Sequence, residues 1–461
     1  MNFLEQVKQY EEQFLSDLKG LIAIPSLENF DTATEGAPFG VDVREALDYM
    51  LNLGREAGFE VIDYDGYAGA IVYGEGSESI GMLGHLDVVP FGEGWSKEAT
   101  DMQIHDGYIF GRGVLDDKGP TMAAFYAMKL LKDNGTKLDK KLILILGTNE
   151  ETGMRCMDYY KEHGEIPTAG FTPDADFPVI YGEKGHLGVV ISSKEPTVIK
   201  SMKAGERPNI VIGKAAAELP KMSQEDIDLF KYYLKVNHLK GEIYHNDDSD
   251  TIEIEGKYFH AAMAYNGINA AVHVLNFVGA TYDDKLAQQL SVLLDDWKGS
   301  GFGIDMEGGY MGFLTMNTGI VEVNNGETTV TIDIRYPNIT DGDALIAKMK
   351  DALAASTVKI EMVSADDSVP LFVDPDSKLV KTLEQSYREY SGDYTTPNKT
   401  IGGGTYARKF DNFVAFGPEF PQHEETSFFV GGPHEKDEGV KIESLMKAVA
   451  IYAKAAQDLA K

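Results

Sequence analysis

Histidine and carboxylate residues stand directly after apolar segments of the sequence. His85 and Asp87 follow one apolar run, Asp116 precedes an apolar helical pattern, and Glu150 and Glu151 follow the buried-strand pattern KLILILG. Imidazole and carboxylate groups are ligands for zinc and similar divalent ions. Open α/β sheets bind ligands at the carboxyl ends of their strands, so these side chains are expected to meet at one sheet edge.

The same placement recurs twice further along the chain. The apolar segment 169–171 leads to Asp174, and the turn that begins at Gly431 and Gly432 presents His434. A solvated turn is the alternative for the Glu-Glu pair when it is considered alone. Taken with the earlier residues, the set is large enough to bind two zinc ions that share one carboxylate. Two metals roughly 3.5–4 Å apart can bind both an attacking water and a carbonyl oxygen.

Hydrophobic periodicity predicts the elements that must position these residues. Strands alternate with helices over residues 1–185, which predicts the first part of a three-layer α/β catalytic domain. Residues 186–375 mix β-rich stretches with helices and predict an inserted α+β lid domain, after which residues 376–461 complete the catalytic domain. The expected fold class is therefore α/β. Strands are predicted at 60–64, 69–73, 79–86, 108–110 and 141–147, and helices at 3–22, 43–57, 121–134, 269–277, 283–297, 343–355 and 377–391.

Composition restricts the partners and the compartment. A chain of 461 residues is too long for one hydrophobic core, so two or more domains are expected. The net charge of −32 argues against nucleic acid and anionic membranes as partners, because phosphate binding needs clustered Lys and Arg. The single cysteine, Cys156, suits a reducing compartment. The N-terminal pattern lacks the features of a signal peptide and no apolar run approaches ~20 residues, so a cytoplasmic protein is expected.

Five motifs, in this order along the chain, resemble those of the dinuclear-zinc exopeptidases and deacylases. This family includes aminoacylase, carboxypeptidase G, succinyl-diaminopimelate desuccinylase and carnosinase. The motifs are GHLDVVP, GRGVLDDKGP, NEETG, TPDA and GGPH. The resemblance covers most of the chain and is closest to the bacterial PepV-type dipeptidases, through GEKG, FHAAMAYNGINA, IDIRYP and GGGTYAR.

The resemblance implies two Zn²⁺ per chain, with Mn²⁺ or Co²⁺ as alternatives. It also implies that Asp87 accepts the imidazole N–H of the first histidine ligand. Glu150 is expected to be the general base, which takes a proton from a water between the metals and passes it to the leaving amine. The expected ligands are His85, Asp116 and Asp174 for one ion, and Asp116, Glu151 and His434 for the other.

Residues of the insert are implied to bind the substrate. His260 resembles the lid histidine that stabilises the oxyanion of the tetrahedral intermediate. Arg335 resembles the lid arginine that binds the C-terminal carboxylate, a task that suits a guanidinium. Further substrate contacts are expected from Asn209, Gly403 and Gly404, although the RPN motif that holds Asn209 lies upstream of His260, where the usual pattern places it downstream.

The function expected from the resemblance is hydrolysis of dipeptides with a free N-terminus. An N-acyl amino-acid deacylase or desuccinylase is the alternative with the same chemistry, and a catalytically dead binding module is the alternative from another class. A dipeptidase needs an acid near the metals to receive the substrate ammonium, and Asp117 or Asp176 are the options.

The insert is long enough for two compact units, which predicts a monomer in which His260 acts on the metal site of its own chain. The histidines without a matching motif are interpreted as structural or surface residues, and Cys156 as a packing residue. These histidines are His105, His163, His186, His238, His245, His273 and His423.

Overall fold

The chain divides into two compact units in the computed structural model, which describes residues 2–422 and 425–461. The first unit comprises Met1–Tyr181, Val373–Lys399 and Gly404–Lys461, and the second comprises Gly182–Phe372 and Thr400–Gly403. The second unit is thus inserted into the first along the sequence. The domain boundaries at residues 185 and 375 stay a prediction.

Helices occur in both units and are numbered in chain order. They are α1 (Phe3–Val7), α2 (Glu11–Ile22), α3 (Val41–Glu56), α4 (Lys118–Asp133), α5 (Arg155–His163), α6 (Gln224–Val236), α7 (Ala270–Tyr282), α8 (Lys285–Leu293), α9 (Gly342–Ala354), α10 (Lys378–Ser391) and α11 (Ile442–Leu459).

The strands alternate with these helices along the chain. They are β1 (Glu60–Tyr64), β2 (Ala68–Tyr73), β3 (Ser79–His85), β4 (Gln103–His105), β5 (Tyr108–Phe110), β6 (Lys141–Gly147), β7 (Ala169–Thr172), β8 (Ala175–Asp176), β9 (Ile180–Glu183), β10 (Gly185–Ser193), β11 (Ser201–Ala204), β12 (Lys214–Pro220), β13 (Lys240–His245), β14 (Ser249–Glu255), β15 (Thr315–Asn324), β16 (Glu327–Tyr336), β17 (Glu361–Ser368), β18 (Leu371–Phe372), β19 (Lys399–Ile401), β20 (Phe413–Ala415), β21 (Pro418–Glu419) and β22 (Gly439–Lys441).

The first unit is built on a sheet whose order includes β1-β2-β6-β3-β7-β20. Strand β3 runs parallel to β6 and to β7, and β7 runs parallel to β20, whereas β1, β2 and β6 pair antiparallel. Strands β3 and β6 are buried along nearly their whole length, as their continuous apolar sequences predict for strands covered on both faces. The carboxyl ends of three neighbouring parallel strands, β6, β3 and β7, therefore share one edge.

Two glycines show that this sheet is covered on both faces. A Cβ on Gly84 would lie 1.9 Å from Thr121 Oγ1 of α4, and a Cβ on Gly147 would lie 2.3 Å from Tyr406 Cε2. His85 of β3 pairs with Gly147 of β6, so these two residues point to the same face of the sheet. Gly84 precedes His85 and points to the opposite face, because successive residues of a strand alternate between faces. Helix α4 and the turn at Tyr406 thus cover opposite faces, which gives the three layers.

The second unit has its own sheet and core. Its strand order is β13-β14-β12-β11-β15-β16-β10-β17, with antiparallel pairing throughout the described pairs. Apolar residues of β10, β15 and β16 alternate with polar ones and pack with α7, α8 and α9 in one cluster. Side-chain caps begin its helices where short polar residues stand: Ser223 for α6, Asn269 for α7, Asp284 for α8 and Asp341 for α9.

The observed elements confirm the predicted α/β fold class with an inserted α+β unit. Helix α4 begins three residues before its predicted start, because Pro120 lies in the first turn, where a missing N–H costs nothing. Strands β15 and β16 form a hairpin at Asn325 and Gly326, both with positive φ. Helix α6 was not predicted. No helix among the described residues is long and apolar enough to cross a membrane.

Candidate active site

The shared edge of β6, β3 and β7 collects three of the predicted metal ligands and the predicted general base, Glu150. His85 ends β3, Glu150 and Glu151 follow β6 by three and four residues, and Asp174 follows β7 by two. The remaining ligands come from loops, Asp116 shortly before α4 and His434 shortly before β22. The sheet and its flanking loops thus bring together the groups that the sequence placed at strand ends.

Asp116 is shared between two groups of metal-ligating side chains. Its Oδ1 lies 3.0 Å from Nε2 of His85, and its Oδ2 lies 3.0 Å from Nε2 of His434. Asp174 Oδ2 lies 3.8 Å from the same nitrogen of His85, and Glu151 Oε2 lies 3.2 Å from that of His434. In each group of three the ligand atoms lie within 4.8 Å of one another.

The hydrogen bonding of His85 fixes its tautomer. Its Nδ1 lies 2.9 Å from the main-chain oxygen of Asp87, which can only accept, so Nδ1 carries the proton. In the neutral ring the lone pair of Nε2 would face the carboxylates of Asp116 and Asp174, which are also acceptors. Burial opposes a charged ring, but the hydrogen bond to Asp116 and the nearby acids raise the pKa of His85 well above its ordinary value, so in the metal-free protein Nε2 carries a proton as well. A positive charge between these groups removes the conflict, and a divalent cation fits a set of imidazole and carboxylate oxygen donors.

The carboxylate of Asp87 has a different position from the predicted one. Its Oδ1 lies 3.5 Å from Nδ1 of His85, further than the main-chain oxygen, and its Oδ2 accepts the backbone N–H of Glu151 at 3.1 Å. The main chain of Asp87 therefore holds the His85 ring. The side chain of Asp87 connects the end of β3 to the turn that holds Glu151.

Crowding of buried acids around the two histidines shifts the pKa values of the site. Hydrogen bonds to Asp116 and Glu151 raise the pKa of His434 to about 10. Burial raises the pKa of Glu150 to about 8, and repulsion from Glu151 and Asp116 acts in the same direction. Burial also raises the pKa of Asp174 well above its ordinary value. The site therefore has a surplus of buried negative charge, which protons or metal cations can neutralise.

An ion pair that the sequence analysis missed supports the Asp116 loop. Glu438 is fully buried, and its Oε1 accepts the backbone N–H groups of Gly113, Leu115 and Asp116 at 3.0, 2.9 and 3.1 Å. Its Oε2 accepts from Nη1 of Arg112 at 2.7 Å. The GRG stretch and the acid four residues after His434 were present in the sequence, but only the fold brings them together.

A second missed group supports the turn that holds Glu150 and Glu151. The hydroxyl of Tyr406 accepts the N–H of Asn149 at 3.2 Å, and the side chain of Asn149 bonds to Glu28. Tyr406 packs edge-on against the His85 ring and lies 2.8 Å from Sγ of Cys156. Cys156 is fully buried, and burial raises the pKa of its thiol to about 12, so it is held as a thiol and packs as predicted.

Neither acid suggested for the substrate ammonium stands free. Asp117 is fully buried, precedes α4, and accepts the N–H of His85 at 3.0 Å and the hydroxyl of Thr121 at 2.9 Å. Its peptide bond to Asp116 is cis. Asp176 forms an ion pair with Lys399. Another acid near the metal ligands, Glu419, pairs in register with Asp176, and burial raises its pKa to about 7.

The predicted substrate residues of the second unit also form a cluster. The N–H of Ala261 donates to the main-chain oxygen of Asn209 at 2.8 Å, and His260 pairs with the residue after it, Ile210. Nδ1 of His260 accepts the N–H of Ala262 at 3.2 Å. Burial and the positive charge of Arg335 lower the pKa of His260, so the neutral ring carries its proton on Nε2.

Arg335 is held at three of its nitrogens. Nε and Nη2 donate to the two oxygens of Asp333 at 2.7 and 2.9 Å, and Nη1 donates to the main-chain oxygen of Gly402 at 3.2 Å. His186, interpreted from the sequence as structural or surface, lies with Nε2 3.1 Å from Asp333 Oδ2.

The glycine-rich turn is divided between the two units. Gly403 belongs to the second unit and Gly404 to the first. A Cβ on Gly404 would lie 1.8 Å from Nη2 of Arg408, so the packing of Arg408 is itself a reason for glycine at this position. His423, another residue interpreted as structural or surface, lies outside the described residues.

The fold and the two ligand groups define an α/β metallopeptidase with an inserted α+β unit. A model of peptidase family M20/M25/M40 matches residues 81–458, and the chain belongs to this family. The predicted family and the metallopeptidase class are thus confirmed.

Individual relatives and a solved structure are similar to this chain. The chain is 37% identical over 476 residues to YtjP of Bacillus subtilis (strain 168), which is named as a candidate dipeptidase, with 100% of both chains covered. It is 36% identical over 471 residues to a Staphylococcus aureus (strain MW2) protein named in the same way, covering 99% and 98%. Its fold is similar to aminopeptidase PepT from Bacillus cereus ATCC 10987, with a TM-score of 0.58, 15% identity and 98% and 99% coverage.

Proposed function

We propose that the protein is a dinuclear zinc dipeptidase that hydrolyses dipeptides with a free N-terminus. The observation that carries the proposal is Asp116, whose two oxygens each lie 3.0 Å from a different histidine. This arrangement suits a carboxylate shared by two ions, one bound also by His85 and Asp174 and the other by Glu151 and His434. The likeness to relatives named as candidate dipeptidases supports the choice of substrate.

The chain supplies the proton transfers and the metals supply positive charge. Two bound divalent ions would acidify a water and polarise the substrate carbonyl. Glu150 takes the proton from the attacking water and delivers it to the leaving amine. Burial raises the pKa of Glu150 to about 8 in the metal-free protein, and the positive charge of two bound ions would lower it toward the ionised form that a base needs.

Residues of the second unit bind the substrate. His260 is poised to donate, because Nδ1 accepts the N–H of Ala262 and the proton is therefore on Nε2. A neutral N–H donor stabilises an oxyanion. Arg335 binds the substrate's C-terminal carboxylate, and Asn209 and Gly403 are further contacts. We propose a cytoplasmic location, supported by the free, buried Cys156. We also propose that the active species is a monomer, supported by the length of the insert.

A substrate panel tests this proposal. Zinc-loaded protein should hydrolyse Ala-Ala, and should hydrolyse N-acetyl-Ala-Ala, Ala-Ala-amide and a hexapeptide at least tenfold more slowly. Preference for N-acetylated amino acids would instead identify a deacylase or desuccinylase. Absence of hydrolysis from a preparation with both ions bound would favour a binding module.

A further inference from the structure

We propose that Asp333 is a positioning residue, which fixes the guanidinium of Arg335 so that two N–H groups remain available for a substrate carboxylate. The inference rests on the proposed function, in which Arg335 binds that carboxylate. Asp333 acts through Arg335 and need not touch the substrate.

The hydrogen bonds of Arg335 leave a defined pair of donors. A guanidinium has five N–H groups, one on Nε and two on each terminal nitrogen. Asp333 accepts from Nε at 2.7 Å and from Nη2 at 2.9 Å, and the main-chain oxygen of Gly402 accepts from Nη1 at 3.2 Å. Within the described residues these contacts leave one N–H on each terminal nitrogen, and two such donors match the two oxygens of a carboxylate.

The strand geometry explains why Asp333 can hold Arg335 firmly. Both residues lie on β16, two positions apart, so their side chains leave the same face of the sheet. Strand β16 lies between β10 and β15, and His186 on β10 stands directly opposite Arg335. His186 Nε2 lies 3.1 Å from Asp333 Oδ2, which fixes the carboxylate from the other side. Interior strands hold binding residues in position more precisely than loops do.

The charge of Asp333 is also essential to the inference. Asp333 is 1% exposed, and its hydrogen bonds to His186 and Arg335 lower its pKa against the opposing effect of burial, so it is ionised at neutral pH. With Arg335 present, the pair of charges is balanced. Without Arg335, a buried anion would remain beside the place where the substrate carboxylate binds, and a buried unpaired charge is strongly unfavourable.

The test begins with Asp333→Asn in the metal-loaded, full-length protein. The amide directs a donor at the guanidinium, so Arg335 loses its fixed orientation. We expect KM for Ala-Ala to rise roughly 10- to 100-fold, the range for hydrogen bonds to charged groups, with little change in kcat. The preference for Ala-Ala over Ala-Ala-amide should fall by a similar factor.

Asp250→Asn is the matched control. Asp250 is a fully buried aspartate of the same unit that also bonds to a histidine and a cation, His245 at 2.7 Å and Lys221 at 2.9 Å. It lies on β14, near the other end of the strand order from β16. Its variant should leave KM and the amide discrimination unchanged. Equal effects of the two variants on KM, or a loss in Asp333→Asn confined to kcat, would overturn the proposal.

Arg335→Ala separates this inference from the proposed function. If Arg335→Ala leaves KM unchanged, arginine is not the carboxylate-binding residue and both ideas are wrong. If Arg335→Ala raises KM but Asp333→Asn does not, only the positioning role is wrong. The double variant tests the charge argument. Adding Asp333→Asn to Arg335→Ala removes the unpaired anion, so the double variant should have a lower KM than Arg335→Ala alone. A higher KM in the double variant would contradict the inference.

Discussion

Arg112 and Glu438 form a buried ion pair, 2.7 Å from Nη1 to Oε2, that joins the loop of Asp116 to the loop of His434. Glu438 accepts the N–H of Asp116, and Nη2 of Arg112 donates to the main-chain oxygen of His434 at 3.4 Å. The pair therefore contacts the backbone of Asp116, which both ligand groups share, and of His434, which belongs to one of them. Neither residue belongs to the two ligand groups found among the described residues.

Glu438→Gln should destabilise the protein and weaken metal binding. Removing one charge of a buried pair leaves the other uncompensated, which costs about 3–5 kcal/mol. Urea unfolding of the metal-free protein measures this loss. Glu5→Gln is the control, because Glu5 pairs with Lys8 at 3.1 Å on the surface, where a pair contributes about 0–1 kcal/mol. Similar losses in both variants would show that the buried pair has no special role.

The adjacent glutamates should respond differently to the same substitution. Glu150→Gln should lower kcat roughly 10²- to 10⁴-fold, the usual contribution of a positioned proton shuttle, and should retain both metals. Glu151→Gln should lose metal, since Glu151 Oε2 lies 3.2 Å from Nε2 of His434 in the shared site. Steady-state kinetics and elemental analysis of both variants decide the assignment, and the reverse pattern would exchange the two roles.

Activity should require two divalent ions per chain. The two ligand groups share Asp116 and contain six ligand positions in total, three in each. Exhaustive chelation should abolish turnover, and adding Zn²⁺ should restore it with a stoichiometry of two. Mn²⁺ and Co²⁺ in parallel samples identify the preferred ion. Full activity in protein that elemental analysis finds metal-free would contradict the prediction.

Metal binding should release protons and strengthen as the pH rises. Hydrogen bonds to Asp116 and Glu151 raise the pKa of His434 to about 10, so in the metal-free protein this ring is protonated at pH 7. A ligating imidazole must be neutral, so each ion bound there displaces a proton. Between pH 6 and 9 the apparent affinity should therefore increase, and calorimetry in buffers of different ionisation enthalpy counts the protons. An affinity independent of pH would be inconsistent with this site.

Mixing two inactive variants tests the proposed monomer. His260→Ala lacks the proposed oxyanion donor and Glu150→Gln lacks the proposed base. If each chain uses its own His260, a mixture incubated under conditions that permit subunit exchange should stay inactive. Sedimentation of the wild-type protein gives an independent measure of its mass. Activity regained in the mixture would mean that His260 is donated between chains.

Much of the first unit could be predicted because its strands and strand-end acids are marked by short sequence patterns. The apolar run from Lys141 to Gly147 gave β6 at its observed bounds, and the acids after strands pointed to the edge at which they meet. Parallel strands have their carboxyl ends at one edge, so residues distant in sequence could be placed together. The acceptor of the Nδ1 proton of His85 could not be predicted, because it depends on which oxygen of Asp87 lies nearer to Nδ1.

Long-range support was invisible in the sequence. Glu438 lies more than 300 residues from the loop that it holds, and nothing local distinguishes it from a surface acid. Asp333 could have been noticed two residues before Arg335, but its pairing with His186 needs the register of β10 and β16. Helix α6 was missed although Ser223 and Asp226 form a capping box, a local signal that was available.

The ring orientations of His85 and His260 depend on main-chain groups. The carbonyl of Asp87 holds the proton on Nδ1 of His85, and the amide of Ala262 leaves the proton on Nε2 of His260. Every amino acid carries that carbonyl, and every one except proline carries that amide. Substitutions at positions 87 and 262 therefore leave these two ring contacts in place, although a change at position 87 would also remove the carboxylate that accepts the N–H of Glu151. Designers who transplant this site should copy the local backbone path first and choose the neighbouring residue types afterwards.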